Sequence, residues 1–224
     1  MNFSVHHQTY NNRKAVECVL ERFRKHFPNE NYRLISDNGT DFSDMKHQYN
    51  IDFELKDKNT FPGGRFQTIQ NCYDWLERVN ETCELYDTEW IVLFEDDVIT
   101  QNSEIHFPRE DSGGMPAHPW SSTLTNFLKK RNTKNKEWGY GMCGGSIFKR
   151  SAFLSCYEKI DEFDLESLNK MDERVSGFSD TLINVFLQYF GFSYEKWEGM
   201  DDMTIPGHQY SPTVCFIHGN KEFY

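Results

Sequence analysis

Positive charge is scarce in this chain: 24 Lys and Arg face 35 Asp and Glu across 224 residues, a formal net charge of −11. A nucleic-acid surface needs a basic face to neutralise phosphates, so the balance argues against such a partner. It leaves room for a small anion in a cleft where a metal and a few local cations reverse the field. The chain has no apolar run of about 18 residues, so no membrane insertion is expected. The opening MNFSVHHQTYNN has neither a basic n-region nor an apolar h-region, and the expectation is a soluble, cytoplasmic protein. Six cysteines (Cys18, Cys72, Cys83, Cys143, Cys156, Cys215) are scattered without a C-x-x-C pair or metal-ligand spacing and read as reduced core residues. Repeats and low-complexity stretches are missing, and KKRNTKNKE (Lys129 to Glu137) reads as a solvated helix end and turn.

What is present suffices for a core, with 38% hydrophobic and 16% aromatic residues. Phe3 to His7 predicts a strand. From Arg13, the residues Val16, Val19, Leu20, Phe23 and Phe27 fall at helical spacing up to Pro28. Tyr32 to Ser36 predicts a second strand ending in the turn-forming DNGTD, and Ile51 to Leu55 a third. After FPGGR, the spacing of Phe66, Ile69, Tyr73 and Leu76 predicts a helix that runs into the strand WIVLF (Trp90 to Phe94). Strands alternating with helices imply an α/β fold with a mainly parallel, doubly wound sheet that binds ligands at its carboxyl strand ends.

Beyond Ile99 the rhythm changes. PREDSGGMPAHPW (Pro108 to Trp120) reads as a Gly/Pro-broken loop, Ser121 to Arg131 as a helix, and Gly139 to Phe148 as a Gly-rich strand. A helix follows Arg150, and then comes an acidic stretch from Lys159 to Arg174. SDTLINVFLQYFG reads as a buried helix stopped by glycine, and Thr213 to Tyr224 as a closing strand. Residues 1–100 are expected to form a nucleotide-binding half. Residues 101–224 are expected to complete the cleft and admit a second substrate, the two halves making one compact domain.

The run WIVLFEDDVI sends Glu95, Asp96 and Asp97 out of a buried strand. Like charges a few ångströms apart raise one another's pKa, so a cation is expected there. Oxygen ligands at a rigid strand end suit Mg²⁺ or Mn²⁺, which fill their remaining positions with water and phosphate oxygens. In an extended backbone Glu95 and Asp97 point the same way with Asp96 opposite. Asp97 is therefore the first candidate ligand, and Glu95 its companion at the metal or ribose. IHGNK adds His218 as a third metal-ligand candidate and Lys221 as a point charge for a phosphate.

At these residues the chain resembles the nucleotide-sugar glycosyltransferases of the GT-A fold. FEDDV resembles their D-x-D motif, HHQTYNN and SDNGTD their first two nucleotide-binding strand ends, and HGNK the His/Lys ending of several members. GGSIFKRSAF, with Gly144 and Gly145, is similar to the segment near donor sugar and acceptor. The first acid is Glu rather than Asp, and the His/Lys spacing is shorter than in the family. The resemblance implies a Rossmann-like sandwich, Mn²⁺ or Mg²⁺, a nucleotide-sugar donor (UDP-sugar favoured) and a glycan or glycoprotein acceptor. It places Thr9 and Asp37 at base and ribose, Arg65 near the nucleotide or pyrophosphate, and Asp96 with Glu95 and Lys221 among the nucleotide-contacting residues. Asp180 matches the catalytic carboxylate of inverting members and a donor-sugar contact of retaining ones. Asp37 also fits a plain turn former, Arg65 a solvated helix start, and Asp180 a dipole-stabilised helix cap. Asp201, Asp202 and His208 read as loop residues over the cleft, and Trp120, Trp138, Trp197 and Tyr210 as candidate sugar platforms. A sugar-nucleotide nucleotidyltransferase and a non-catalytic carbohydrate- or cation-binding module remain alternatives.

Overall fold

In β1 (Phe3–Thr9) the apolar Phe3 and Val5 alternate with Ser4 and His6, and the polar His7, Gln8 and Thr9 follow; nearly all are buried, so this strand must satisfy its polar side chains from within the protein. Phe3 and Val5 face α1 (Arg13–His26), which presents Val16, Val19, Leu20 and Phe23 to them. The Asn12 side chain caps that helix by accepting the Ala15 N–H at 3.2 Å. The chain continues through β2 (Asn31–Asp37), the short α2 (Met45–Gln48) and β3 (Asp52–Lys56), laid down in parallel to one side of β1. Asn38 makes the turn after β2 with a left-handed φ of 58°. α3 (Ile69–Leu85), capped by Thr68, then carries the chain back to β4 (Trp90–Phe94) on the other side of β1. β1 and β4 thus flank the point where strand order reverses, and a crevice opens there at their carboxyl ends.

The remaining elements are β5 (Ile99–Thr100), β6 (Ser112–Pro116), α4 (Ser122–Arg131), β7 (Gly141–Lys149), α5 (Arg150–Tyr157), α6 (Leu165–Met171), α7 (Ser179–Tyr189), β8 (Tyr194–Lys196), β9 (Met200–Asp202) and β10 (Phe216–His218). The computed structural model describes residues 2–116, 121–132, 141–203 and 211–219. Among these residues the central sheet has the order β3-β2-β1-β4-β7-β6-β8, and a small sheet has the order β5-β10-β9. Only β7 runs against its neighbours β4 and β6, so the central sheet is mainly parallel. One core, built on Trp75, Leu76, Phe153 and Phe186, packs α3, α5 and α7 on one face of the sheet. A second, built on Phe23, Phe94 and Phe216, joins α1 and the small sheet on the other. The result is an α/β sandwich.

Four expectations change. Part of the stretch read as a loop from Pro108 is strand β6. Glycine is a poor strand former, but packing decides at Gly113, where a Cβ would lie 2.8 Å from the Pro108 ring and 3.0 Å from Trp197 Cβ. Asp201 and Asp202 are not in a covering loop: they sit on β9, 7% and 1% exposed. Among the described residues the closing strand covers Phe216–His218 and so begins later than read; residues 220–224 lie outside the described residues. Trp197 is a core residue whose indole N–H donates to His106 O at 2.6 Å, which removes it as a sugar platform. Trp120, Trp138, His208, Tyr210 and Lys221 lie outside the described residues.

Candidate active site

β4 is fully buried and ends at Phe94. The three acids that follow are not extended as the alternation argument assumed: Val98 N–H bonds back to Glu95 O at 3.1 Å, closing a turn over Asp96 and Asp97. The turn still separates the carboxylates in the expected way. Asp96 swings towards β1, where Oδ1 lies 2.9 Å from His7 Nε2 and Oδ2 accepts the Thr9 hydroxyl at 3.0 Å. His7 is in turn 2.6 Å from Tyr32 OH. Asp96 therefore locks the β4 end to the β1 end, and Thr9 is the residue it holds.

Glu95 and Asp97 turn to the other side and meet His218 of β10, with one ligand atom of each residue within 4.8 Å of the others. His218 Nε2 lies 3.2 Å from Asp97 Oδ1, and Nδ1 lies 3.3 Å from Asp202 Oδ2. Burial alone would strip the proton from His218; the carboxylates of Asp202 and Asp97 outweigh it and raise the pKa to about 10. Burial pushes Glu95 up to about 7, with His218 opposing and Asp97 and Asp180 adding to the rise. Ser179 Oγ donates to Glu95 Oε1 at 3.1 Å and ties the acid turn to the start of α7.

This donor set suits a divalent ion. Asp97 Oδ1 is buried and faces His218 Nε2 at 3.2 Å, an oxygen and a nitrogen that can both ligate such an ion. Two carboxylates with one imidazole suit a divalent transition-metal ion better than Mg²⁺, which favours oxygen ligands. Asp202 stands behind His218 on the Nδ1 side, the place from which a carboxylate would orient the imidazole towards an ion.

Beside these residues lies a cavity of about 360 Å³ on the α3 face of the sheet. Its β1 wall carries His6, Gln8 and Thr9, its far wall Ser146 and Asp180, and Trp75 and Phe61 supply aromatic surface. Asp180 is 5% exposed in the first turn of α7, and its Oδ1 accepts the Thr181 N–H at 2.7 Å. Asn184, one turn on, donates to Ser146 Oγ at 3.0 Å and to Asp180 O at 2.7 Å.

Asp37 also lines the cavity, yet its carboxylate is engaged. It pairs with Arg78, and Oδ2 accepts from Thr60 N at 2.7 Å and from Gln8 Nε2 at 2.9 Å. Its evident task is to pin residues 59–61 under the cavity. Arg65 is exposed at the rim, with its guanidinium 4.9 Å from the Phe178 ring that precedes Ser179. Gly63 and Gly64 (φ 69° and 77°) make the tight loop that puts it there. The structure thus gathers Thr9, Asp37, Glu95, Asp96, Asp97 and Asp180 around one cavity, with His218 closing on the acids and Arg65 at the edge. Sequence reasoning missed His6 and Gln8, and it placed Asp202 in a loop over the cleft rather than behind His218. Polar residues two apart in the otherwise buried strand HHQT were the signal for the first two; the β9–β10 pairing is what brings Asp202 to His218.

No protein-family model and no curated protein matches the chain. Solved structures do. A galactosyltransferase, LgtC, in complex with donor and acceptor sugar analogues superposes with a TM-score of 0.55 at 14% identity, over 96% of this chain and 86% of that one. An active-site mutant of LgtC gives 0.57 at 13% identity with the same coverage. TarS of S. aureus gives 0.50 at 13% identity; 97% of this chain aligns, but it spans only 36% of TarS. At such identity the likeness defines the fold: a GT-A-type α/β sandwich, as the sequence resemblance implied. Among the described residues no helix is long and apolar enough to cross a membrane.

Proposed function

We propose that the chain is a metal-dependent glycosyltransferase, moving a sugar from a nucleotide-diphosphate sugar to a hydroxyl of a glycan or glycoprotein acceptor. One observation carries the reading: Glu95, Asp97 and His218 converge beside a cavity at the β1/β4 crevice. The fold's likeness to a galactosyltransferase supports it. Mn²⁺ held by these three residues would supply Lewis-acid stabilisation to the departing diphosphate. Among the chain's own groups, Thr9 and Asp37 border the base and ribose end. Arg65 and Lys221 are the cations for the phosphates, and Asp96 keeps β1 and β4 in register at the nucleotide.

Asp180 stands at the transferred sugar, either as the base of an inverting transfer or as a donor-sugar contact in a retaining one. Residues 1–100 supply most of the nucleotide side, and residues 101–224 bring His218, Ser146 and Asp180 to the sugar and acceptor side. A nucleotide-sugar synthesising enzyme is less favoured, because the β1 loop lacks the Gly-rich basic stretch a triphosphate needs.

The test is Asp97→Ala. Metal-dependent turnover and donor hydrolysis should disappear while the circular dichroism spectrum stays that of the wild type. Turnover at the wild-type rate in that variant would sink the metal-site reading.

A further inference from the structure

The central sheet ends on one side at β3, and among the described residues no strand pairs with its outer edge and no loop bonds to the backbone of Asp52–Lys56 from that side. Every second N–H and C=O of such an edge points outward unpaired, a template for another strand. The opposite edge, β8, offers only three residues, and Glu195 there already accepts the Arg109 N–H of the loop before β6. Edges are commonly blunted by proline or a bulge. β3 has no proline and pairs with β2 in unbroken register.

Successive side chains of the strand alternate between the two faces of the sheet. Glu54 and Lys56 lie on the α3 face, where Lys56 Nζ is 2.6 Å from Glu54 Oε1 and 2.8 Å from Glu81 Oε2. Asp52 shares that face, its Oδ2 accepting the Tyr86 hydroxyl at 2.6 Å, and Lys58 just beyond the strand pairs with Asp74 of α3. Read along the edge, the face runs acid, acid, base, base. An antiparallel copy of the same strand presents the opposite order. On the other face Phe53 packs against Phe42, and Leu55 beside it is 47% exposed, a large apolar side chain left in water at the open edge.

We propose that the β3 edge takes the β3 of a second copy of this chain, antiparallel and centred on Leu55, so that two central sheets join into one. In this register Glu54 stands opposite Lys56 of the second copy and Asp52 opposite its Lys58, each pair occurring twice, while the two Leu55 side chains cover each other. The neighbouring registers fail on charge. A centre at Glu54 or at Lys56 sets that residue against its own like charge, and a centre at Phe53 sets Asp52 against Glu54; like charges directly opposed destabilise a strand pair. The two-fold axis closes the contact, so association stops at the dimer. Strands of the two copies run in opposite directions, which leaves the two β1/β4 crevices open at opposite ends of the joined sheet.

The experiment is sedimentation equilibrium of the full chain, repeated on Leu55→Lys and Leu55→Glu. The average mass should rise from 26.6 kDa towards twice that value as the concentration is increased, with dimer evident by about 100 µM, the affinity range of a contact this short. Each substitution sets like charges against each other at the two-fold axis and should weaken association by about fivefold or more. Leu55 is exposed and touches none of the cavity residues, so circular dichroism of both variants should match the wild type. Mixed in equal amounts, the two variants bring opposite charges together at the axis, and the dimer should return; a mere loss of packing would not be rescued in this way. A mass of 26.6 kDa at every concentration, a dimer indifferent to both substitutions, or no recovery on mixing overturns the proposal.

Discussion

Metal affinity should climb steeply with pH, because the triad as folded holds protons that an ion must displace. The His218 imidazole, flanked by Asp97 and Asp202, has its pKa raised to about 10, and Glu95 is pushed up to about 7. At pH 6 both groups carry a proton, and both protons must leave for the nitrogen and oxygen to ligate. Between pH 6 and 7 the deprotonated fraction of His218 grows roughly tenfold and that of Glu95 roughly fivefold, so Mn²⁺ affinity should rise by about 50-fold. Between pH 7 and 8 Glu95 has largely lost its proton, and the gain should fall to about 20-fold.

Isothermal titration calorimetry in two buffers of different ionisation enthalpy reads the same quantity as protons released per ion. About two are expected at pH 6, falling towards one at pH 8. The sign for the metal-free protein follows from the same pair. Glu95 binds its proton more tightly folded than unfolded, so its contribution to stability falls as pH rises from about 4.5 to 7. The contribution of His218 is full below about 6.5 and is lost as pH rises through about 10. An Mn²⁺ affinity flat from pH 6 to 8, or no proton release, would refute the reasoning.

Arg78→Leu leaves Asp37 charged and buried without its partner, and about 3–5 kcal/mol of stability should be lost, read as a thermal midpoint lower by about 10 °C; a shift below about 2 °C would mean that Thr60 and Gln8 satisfy Asp37 alone. Asp180→Asn separates the two roles left open for that carboxylate. A fall in kcat of about 10²-fold or more at unchanged KM marks a base, whereas a rise in KM for the donor marks a sugar contact. His218→Ala should weaken Mn²⁺-dependent UDP binding, and an unchanged dissociation constant would remove His218 from the ion's ligands.

The first half of the fold was legible because its signals are local. Apolar spacing in α1, Pro28 after it, and the unbroken apolar WIVLF each report on neighbours in sequence. The strands that were missed, β5, β6, β8 and β9, are short and exist through pairing with distant partners; β6 keeps its path because Pro108 and Trp197 leave no room for a side chain at Gly113. The acids of FEDDV were visible as a charge that needs company. That they turn rather than extend was not, because the turn is set by His7 and Thr9 drawing Asp96 aside. Nothing local in the sequence marked Arg78 as the partner of Asp37.

The three residues of the proposed ion site come from two separate sheets: Glu95 and Asp97 hang from the end of β4, and His218 belongs to the small sheet of β5, β9 and β10. During synthesis the nucleotide-facing strands β1 to β4 can therefore collapse long before residue 218 leaves the ribosome. The nascent chain would pass through a stage with its cavity walls in place and its acids uncompensated, and an ion could lodge in full coordination only once β10 has docked. Metal acquisition at the proposed site would then mark the completion of folding.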